Sequence, residues 1–423
     1  MDRDGMKKMK KVILYPLSAI GHMNPMFHVA EALNSKGISI TFILTKYNSP
    51  NPSSFSTDYS FHFIDDGIAA METPPSNPVA FLAALNSNSR QPFRDCLESI
   101  LGSEKGEKSV ACLITDPLWV FTRAISEEFG LPRIMLHTST AADLVILSSP
   151  DVLQHDDYPV FPEIIAMVEE VKASSGLICN SYEELEGPSL NTLRQNINIP
   201  VFPIGPLHKY SKTSATSSFL LKDKTPIIKW LDNQPPKSVL YVSFGSIATI
   251  NKAEFEEIAC GLANSNQPFL WVIRPDLVHG SENSQLLLED FEEKVGERGR
   301  IVTWAPQQEV LTHTAVGGAF IHGGWNSAME SISEGVPVIC MPCLFPDQKT
   351  IARHVTDVWR VGLRVDRGGI ERGQVEEVIK RLMGDQEIRE RLDEFKGTAD
   401  KCVSHGGSSY ESLEKLCSFI LSL

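Results

Sequence analysis

The stretch FIHGGWNSAMESISEGVP, Phe320 to Pro337, opens apolar, turns through Gly323 and Gly324, and continues with helical spacing. It reads as a strand–turn–helix junction. A plain core junction needs the glycines but not His322, Trp325, Asn326, Ser327 and Glu330. Glycine permits the tight turn, and the first N–H groups of a helix starting near Trp325 have no acceptor within that helix. The helix dipole favours an anion at this point. Asn326 and Ser327 add side-chain donors, and Glu330, four residues after Asn326, shares its face. A carboxylate there repels phosphate but suits sugar hydroxyls. Phosphate at a helix start with a hydroxyl acceptor one turn later is the layout a nucleotide sugar needs.

Working outward, the same alternation fills the chain. In the first half, strands are expected at 11–16, 38–44, 109–116 and 133–138, and helices at 24–37, 79–101 and 118–130. Pro25 near a first turn and Gly37 past an end bracket the first helix. The run 209–226, KYSKTSATSSFLLKDKTP, has linker composition. The pattern then restarts with strands at 238–246, 268–275, 299–305, 318–323, 337–342 and 362–365, and a helix at 252–265. Continuous apolar strands between amphipathic helices imply parallel sheets covered on both faces. The fold class is therefore α/β, with two doubly wound domains at 1–208 and 227–405 joined by the linker. A last amphipathic helix occupies 406–423, with Ser408 and Glu411 spaced as a capping box.

Bulk properties fit that division. A chain of 423 residues exceeds one ordinary core. A net charge of −14 makes nucleic acid or anionic membrane a poor partner, so an anionic ligand must be held by local dipoles. No apolar run approaches a membrane span, and the N-terminal apolar run is broken by Pro16 and Gly21, unlike a secretory signal. A cytoplasmic location is expected. The eight cysteines are scattered; Cys340 and Cys343 form a lone C-x-x-C, so zinc is not expected and packing is.

In doubly wound sheets, ligands lie beyond the carboxyl ends of the strands. After the first strand comes His22 in SAIGHMNP, and after the strand at 109–116 comes Asp116, followed by Pro117. An aspartate that orients an imidazole leaves the other ring nitrogen as a base. Asp116 equally suits a helix cap, and the two readings are compatible. In the second half, SFGS at 243–246 brings backbone close to a ligand, Trp304 ends a strand where an indole stacks on a base, and Asp347 with Gln348 offers paired hydrogen bonds to a polyol. There is no G-x-G-x-x-G, no G-x-x-x-x-G-K-[ST] and no G-x-S-x-G. The only D-x-D is Asp2-Arg3-Asp4, at the N-terminus, so a metal-held diphosphate is unsupported.

The run from Trp304 to Gln348 closely resembles the signature box of plant family 1 UDP-glycosyltransferases, with a dense match over more than forty positions. GHMNP, LYVSFGS and GGSSYESLEKL resemble other stations of that family, most like the group with steviol-glycoside and cytokinin glucosyltransferases. The resemblance implies a GT-B fold, two Rossmann-like domains facing across a cleft. The acceptor would lie mainly in the first domain, the UDP-sugar mainly in the second, and the last helix would pack back on the first. It implies His22 as general base and Asp116 as its partner. It gives Trp304 the uracil, and Gln307 and Glu330 the ribose. Ser246, His322, Asn326 and Ser327 would hold the diphosphate, and Trp325, Asp347, Gln348 and Thr138 the sugar, with Ala305 also at the donor. The implied reaction is inverting, metal-independent transfer of glucose from UDP-glucose to a hydroxyl or amine of a small lipophilic metabolite. UDP-sugar is a co-substrate rather than a cofactor, and the protein a monomer.

Two departures from the family pattern stand out. CMPCLFPDQ has one extra residue before Asp347, and 147–176 is short, giving either a more open acceptor pocket or a chain that lacks a segment. Three other readings compete: the same fold with another UDP-sugar, a non-catalytic UDP-sugar-binding protein, and an α/β oxidoreductase. The presence of both His22 and Asp116 disfavours the second, and the missing nucleotide fingerprint the third. Phe81, Leu85, Trp119 and Leu144 read either as walls for an apolar acceptor or as core.

Overall fold

The computed structural model describes residues 10–47, 49, 59–68, 78–103, 110–149, 162–210, 224–275, 277–279, 291, 293, 295–343 and 345–423. It divides into two compact units, Met1–Leu221 with Cys402–Leu423, and Lys222–Lys401. Most of the expected linker (211–223), residues 150–161 of the short segment 147–176, Leu344 in the loop with the extra residue, and the Asp2–Asp4 pair lie outside the described residues.

Unit 1 runs β1 (Lys11–Tyr15), α1 (Ile20–Ser35), β2 (Ser39–Thr45), β3 (Tyr59–Ile64), α2 (Pro78–Ser103), β4 (Val110–Thr115) and α3 (Thr122–Glu128). It continues with β5 (Arg133–His137), α4 (Ala141–Leu147), α5 (Pro162–Lys172), β6 (Gly176–Cys179), α6 (Glu183–Asn196) and β7 (Val201–Pro203). The strands form one parallel sheet in the order β3-β2-β1-β4-β5-β6-β7. β1 shows why an unbroken apolar run suits such a sheet. Val12 and Leu14 join the core made with Met26, Phe27, Ala30 and Leu33 of α1. Ile13 and Tyr15 join the opposite core, made with Phe93, Leu97 and Ile100 of α2. Successive side chains thus feed both faces.

The first helix begins earlier than the proline suggested. α1 starts at Ile20, with Pro25 inside it and the amides of His22 and Met23 both bonding the Ala19 carbonyl. Pro25 gives up the bond to Gly21, and a proline in a helix interior costs about 3 kcal/mol. Burying Met23, Met26 and Phe27 to within 3 % of full enclosure outweighs this, at about 1.5–3 kcal/mol for each large apolar side chain. His22 is therefore the third residue of a helix rather than part of a glycine-led turn.

Unit 2 runs α7 (Thr225–Asp232), β8 (Val239–Ser243), β9 (Ile250–Asn251), α8 (Lys252–Ser265), β10 (Phe269–Val272), β11 (Val278–His279), β12 (Gly299–Val302) and α9 (Gln307–Leu311). Then come β13 (Val316–Ile321), α10 (Trp325–Ser333), β14 (Val338–Cys340), α11 (Pro346–Arg353), β15 (Gly362–Arg364), α12 (Arg372–Gly384) and α13 (Gln386–Val403). Its six-stranded parallel sheet has the order β12-β10-β8-β13-β14-β15, and β9 and β11 pair separately. Both main sheets therefore reverse direction beside their first strand, the arrangement of a dinucleotide-binding fold.

The final helix, α14 (Ser408–Ser422), adds Leu413, Leu416 and Ile420 to the core of unit 1 around Val12 and Leu14. Its expected capping box is absent. Gly407 is the N-cap, and the Ser408 hydroxyl instead donates to Glu184 Oε2 at 2.8 Å. A complete capping box occurs at α8, where Asn251 and Glu254 bond each other's amides.

α8 packs on α12 at Gly261. A Cβ there would stand 2.5 Å from Val375 Cβ and 3.0 Å from the Arg372 carbonyl oxygen. Gly261→Ala is expected to force the helices apart and to destabilise unit 2 by about 1–3 kcal/mol, seen as a lower thermal-unfolding midpoint.

Candidate functional site

In unit 1, β1 and β4 are the neighbours from which the sheet grows in opposite directions. Asp116 follows β4 directly, and its amide reaches the Tyr15 carbonyl at the end of β1. His22, in the first turn of α1, places Nδ1 2.6 Å from Asp116 Oδ2. Asp116 is 1 % exposed and His22 27 %, so a withdrawn carboxylate backs an imidazole that solutes can reach. The other oxygen, Oδ1, accepts the Leu118 amide at 3.0 Å. That is an Asx turn rather than a helix cap, since α3 does not begin until Thr122. Asp116 thus orients the ring and shapes its own loop. Because a carboxylate only accepts, Nδ1 carries the hydrogen and Nε2 is the basic nitrogen.

Thr138, just past β5, lies with Oγ1 3.1 Å from His22 Nδ1. Its flanks are held by groups the sequence reading did not single out. His137 bonds the Thr140 carbonyl through Nε2, and burial pushes its pKa down to about 4. Thr140 caps α4 by accepting the Asp143 amide. Glu186 accepts the amides of Ala141 and Ala142 and the Ser181 hydroxyl. The Thr140–Asp143 spacing is a readable cap signal. Glu186 has none, since its amide partners lie more than forty residues away.

In unit 2 the corresponding neighbours are β8 and β13. The turn after β8 carries Gly245 and exposed Ser246, and the turn after β13 carries His322, Gly323 and Gly324. The His322 imidazole fills the space between these turns. A Cβ at Gly245 would come within 2.5 Å of its Cε1, and one at Gly324 within 2.4 Å of its Nε2. Gly245 and Gly323 also adopt φ of 73° and 80°, which disfavour any other residue. Burial, with a smaller contribution from the Arg274 charge, pushes the His322 pKa down to about 4. Arg274 itself ties the β8 turn by donating to the carbonyls of Gly245 and Ala248.

α10 starts at Trp325 with Gly324 as N-cap and no acidic residue in its first turn. Its opening N–H groups therefore face the strand ends without competition from a carboxylate. One turn on, buried Glu330 accepts Gln307 Nε2 at 2.7 Å and Gln308 Nε2 at 3.2 Å. Gln307 Nε2 also donates to Ser327 Oγ at 3.0 Å, and its Oε1 accepts the Tyr241 hydroxyl. Gln307, Ser327 and Glu330 are thus joined in one hydrogen-bonded group. Trp304 and Asn326 are half-buried beside them in sequence, and Ala305 is buried.

Trp325 and Gln348 are both enclosed. Trp325 is 3 % exposed, with its indole turned inward 6.1 Å from that of Trp359. Gln348 is also 3 % exposed, and its Oε1 accepts the Cys343 amide at 2.7 Å. It braces the loop whose neighbouring Asp347, in the first turn of α11, remains half-buried. Cys340 is buried, and the Cys343 thiol donates to the Met341 carbonyl. Among the described residues, no group of three His, Cys, Asp or Glu side chains is arranged to hold a metal.

His137 and His322 both titrate near pH 4 when folded and near 6.5 when unfolded. Between these values the unfolded chain binds more protons, so stability falls as pH drops from about 6.5 to about 4. Thermal midpoints measured across that range should decline, and His322→Asn should flatten the decline.

Residues 223–395 match the family model for UDP-glucoronosyl and UDP-glucosyl transferase. UDP-glycosyltransferase 76B1 of Arabidopsis thaliana is 40% identical, the alignment covering 97% of this chain and 98% of the relative. UDP-glycosyltransferase 76G1 of Stevia rebaudiana is 38% identical over 99% and 98%. A solved structure of UGT2 from Phytolacca americana, complexed with UDP-2-fluoro-glucose and pterostilbene, superimposes with a TM-score of 0.81 at 27% identity, over 97% of this chain and 99% of that one. With two Rossmann-like units and this extent of likeness, the chain belongs to the plant family 1 UDP-glycosyltransferases, enzymes of the GT-B fold.

Proposed function

We propose that this enzyme transfers glucose from UDP-glucose to a hydroxyl of a small lipophilic acceptor, with inversion and without a metal. The observation that carries the reading is the 2.6 Å pairing of His22 Nδ1 with buried Asp116. In this mechanism His22 Nε2 takes the acceptor O–H proton as that oxygen bonds to the anomeric carbon. Asp116 stabilises the imidazolium so formed. The bond from the anomeric carbon to the diphosphate breaks, and UDP leaves as an anion. It needs charge stabilisation more than a proton, which the start of α10 supplies together with Ser246, His322, Asn326 and Ser327. Trp304 stacks on uracil, and Gln307 and Glu330 take the ribose. Asp347, Thr138 and Trp325 meet the sugar, with Gln348 bracing the loop that leads into Asp347. A single displacement from an α-linked donor gives a β-glucoside. The glucose assignment draws on the UDP-2-fluoro-glucose bound by the Phytolacca protein. Eight free thiols suit a reducing cytosol, and the enzyme is read as a monomer.

His22→Ala and Asp116→Asn should each lower kcat by roughly 10²–10⁴-fold. UDP affinity, measured by calorimetry, should stay within about twofold, since neither residue belongs to the donor unit. Unchanged transfer would remove His22 from the mechanism. A higher kcat/KM with UDP-galactose or UDP-xylose than with UDP-glucose would overturn the assigned sugar.

A further inference from the structure

A chain of hydrogen bonds in unit 2 links three strand-end segments, and its centre is Arg367, just past β15. Arg367 Nε and one terminal nitrogen donate to the two oxygens of Glu254 at 2.5 and 2.8 Å. The other terminal nitrogen donates to the Cys343 carbonyl at 2.9 Å. Glu254 is itself fixed, 8 % exposed and bonded to the Asn251 amide in the capping box that starts α8. On the far side, the amide of Cys343 is held by Gln348 Oε1. Cys343 is therefore gripped through both its carbonyl and its amide. It sits in the loop that, on the resemblance to the family signature, carries one extra residue, and that loop leads into Asp347 and Gln348.

This geometry exceeds what an ordinary surface ion pair offers. The guanidinium makes a two-point contact with a carboxylate that cannot move, which fixes the direction of its remaining donor. A longer loop has more conformations available, and a fork anchored on a helix start restricts them. Neither Arg367 nor Glu254 has a hydrogen bond to Trp304, Gln307, Ser327 or Glu330, the group assigned to the nucleoside.

We infer that Arg367, held by Glu254, is a positioning residue that sets the Asp347–Gln348 loop, and through it the fit of the donor's sugar, without contributing to the grip on UDP. The inference rests on the donor-site reading above.

The experiment measures Kd for UDP and for UDP-glucose by calorimetry, and kcat/KM for UDP-glucose against UDP-galactose, on Arg367→Ala, Arg367→Lys and Glu254→Gln. In Arg367→Ala the UDP Kd should stay within about twofold, while the ratio of the UDP-glucose Kd to the UDP Kd rises about tenfold, the worth of one lost hydrogen-bonded alignment. Preference for glucose over galactose should fall in parallel. Lysine should recover only part of both effects, because it supplies a point charge rather than a fork. Glu254→Gln, which keeps an acceptor for the Asn251 amide, should shift the ratio in the same direction by less. It carries the test alone if Arg367→Ala shows no cooperative melt. Equal weakening of UDP and UDP-glucose would mean general damage to unit 2 and would overturn the inference, as would no change in either. A wild-type protein that binds neither ligand would instead overturn the donor-site reading, and this inference with it.

Discussion

A parallel sheet that grows both ways from its first strand must send successive connections in opposite directions from one adjacent pair. The loops leaving that pair diverge, and the sheet's own ladder cannot close the gap between them. Both units carry this constraint, at β1–β4 and at β8–β13. They meet it differently. In unit 1 the gap takes a hydrogen-bonded histidine–aspartate pair, with Asp116 sunk against the strand ends and His22 delivered by the start of α1. In unit 2 the two turns close on an imidazole, and glycine at 245 and 324 is the consequence, because any Cβ there would overlap the His322 ring. Glycine at the β8 turn is thus explained by a residue of the chain itself, before any ligand is considered.

Charge is handled by dipoles and amides more than by opposing ions. Glu330 is buried and, among the described residues, pairs with no lysine or arginine; two glutamine amides solvate it instead. Neutral donors leave the carboxylate its charge and its capacity to accept further hydrogen bonds. The positive end of α10, one turn away, is then a local source of favourable potential for an anion, alongside the Arg274 charge felt at His322. A chain with net charge −14 can hold a diphosphate on such terms, since the relevant field is local and screened from the rest of the surface.

The strands and most helices were legible because buried parallel strands leave unbroken apolar runs, and β1 dividing its side chains between two cores is the physical form of that signal. The pairing of His22 with Asp116 was legible for a different reason: both follow strands of one sheet, so topology brings them together whatever lies between. Local signals failed where a long-range partner outbid them. Ser408 forsook its cap for Glu184, and apolar burial carried α1 through Pro25. Side-chain direction was also hidden. Trp325 and Gln348 occupy the expected backbone positions, yet one turns toward Trp359 and the other toward the Cys343 amide. Glu186 and the Glu254–Arg367 pair had no sequence signature, since their partners are set by tertiary contacts alone.

Hydrophobic recognition is the hardest property to read in such a chain, because an apolar wall and an apolar core use the same residues. Burial separates them here. Leu85, Trp119 and Leu144 are each within 1 % of full enclosure, and Trp119 stacks on Tyr15 with ring centroids 4.7 Å apart. These three hold unit 1 together. Phe81 differs: it is half-buried on the first turns of α2, with its ring edge-on to Tyr47 at 5.4 Å. Tyr47 follows β2, and Phe81 lies on the helix that covers the same face as Tyr15. Of the four apolar residues that suggested an acceptor, only Phe81 retains surface to offer one. Partly exposed aromatics of this kind change little about the fold, and their contacts leave no charge or spacing pattern in the sequence.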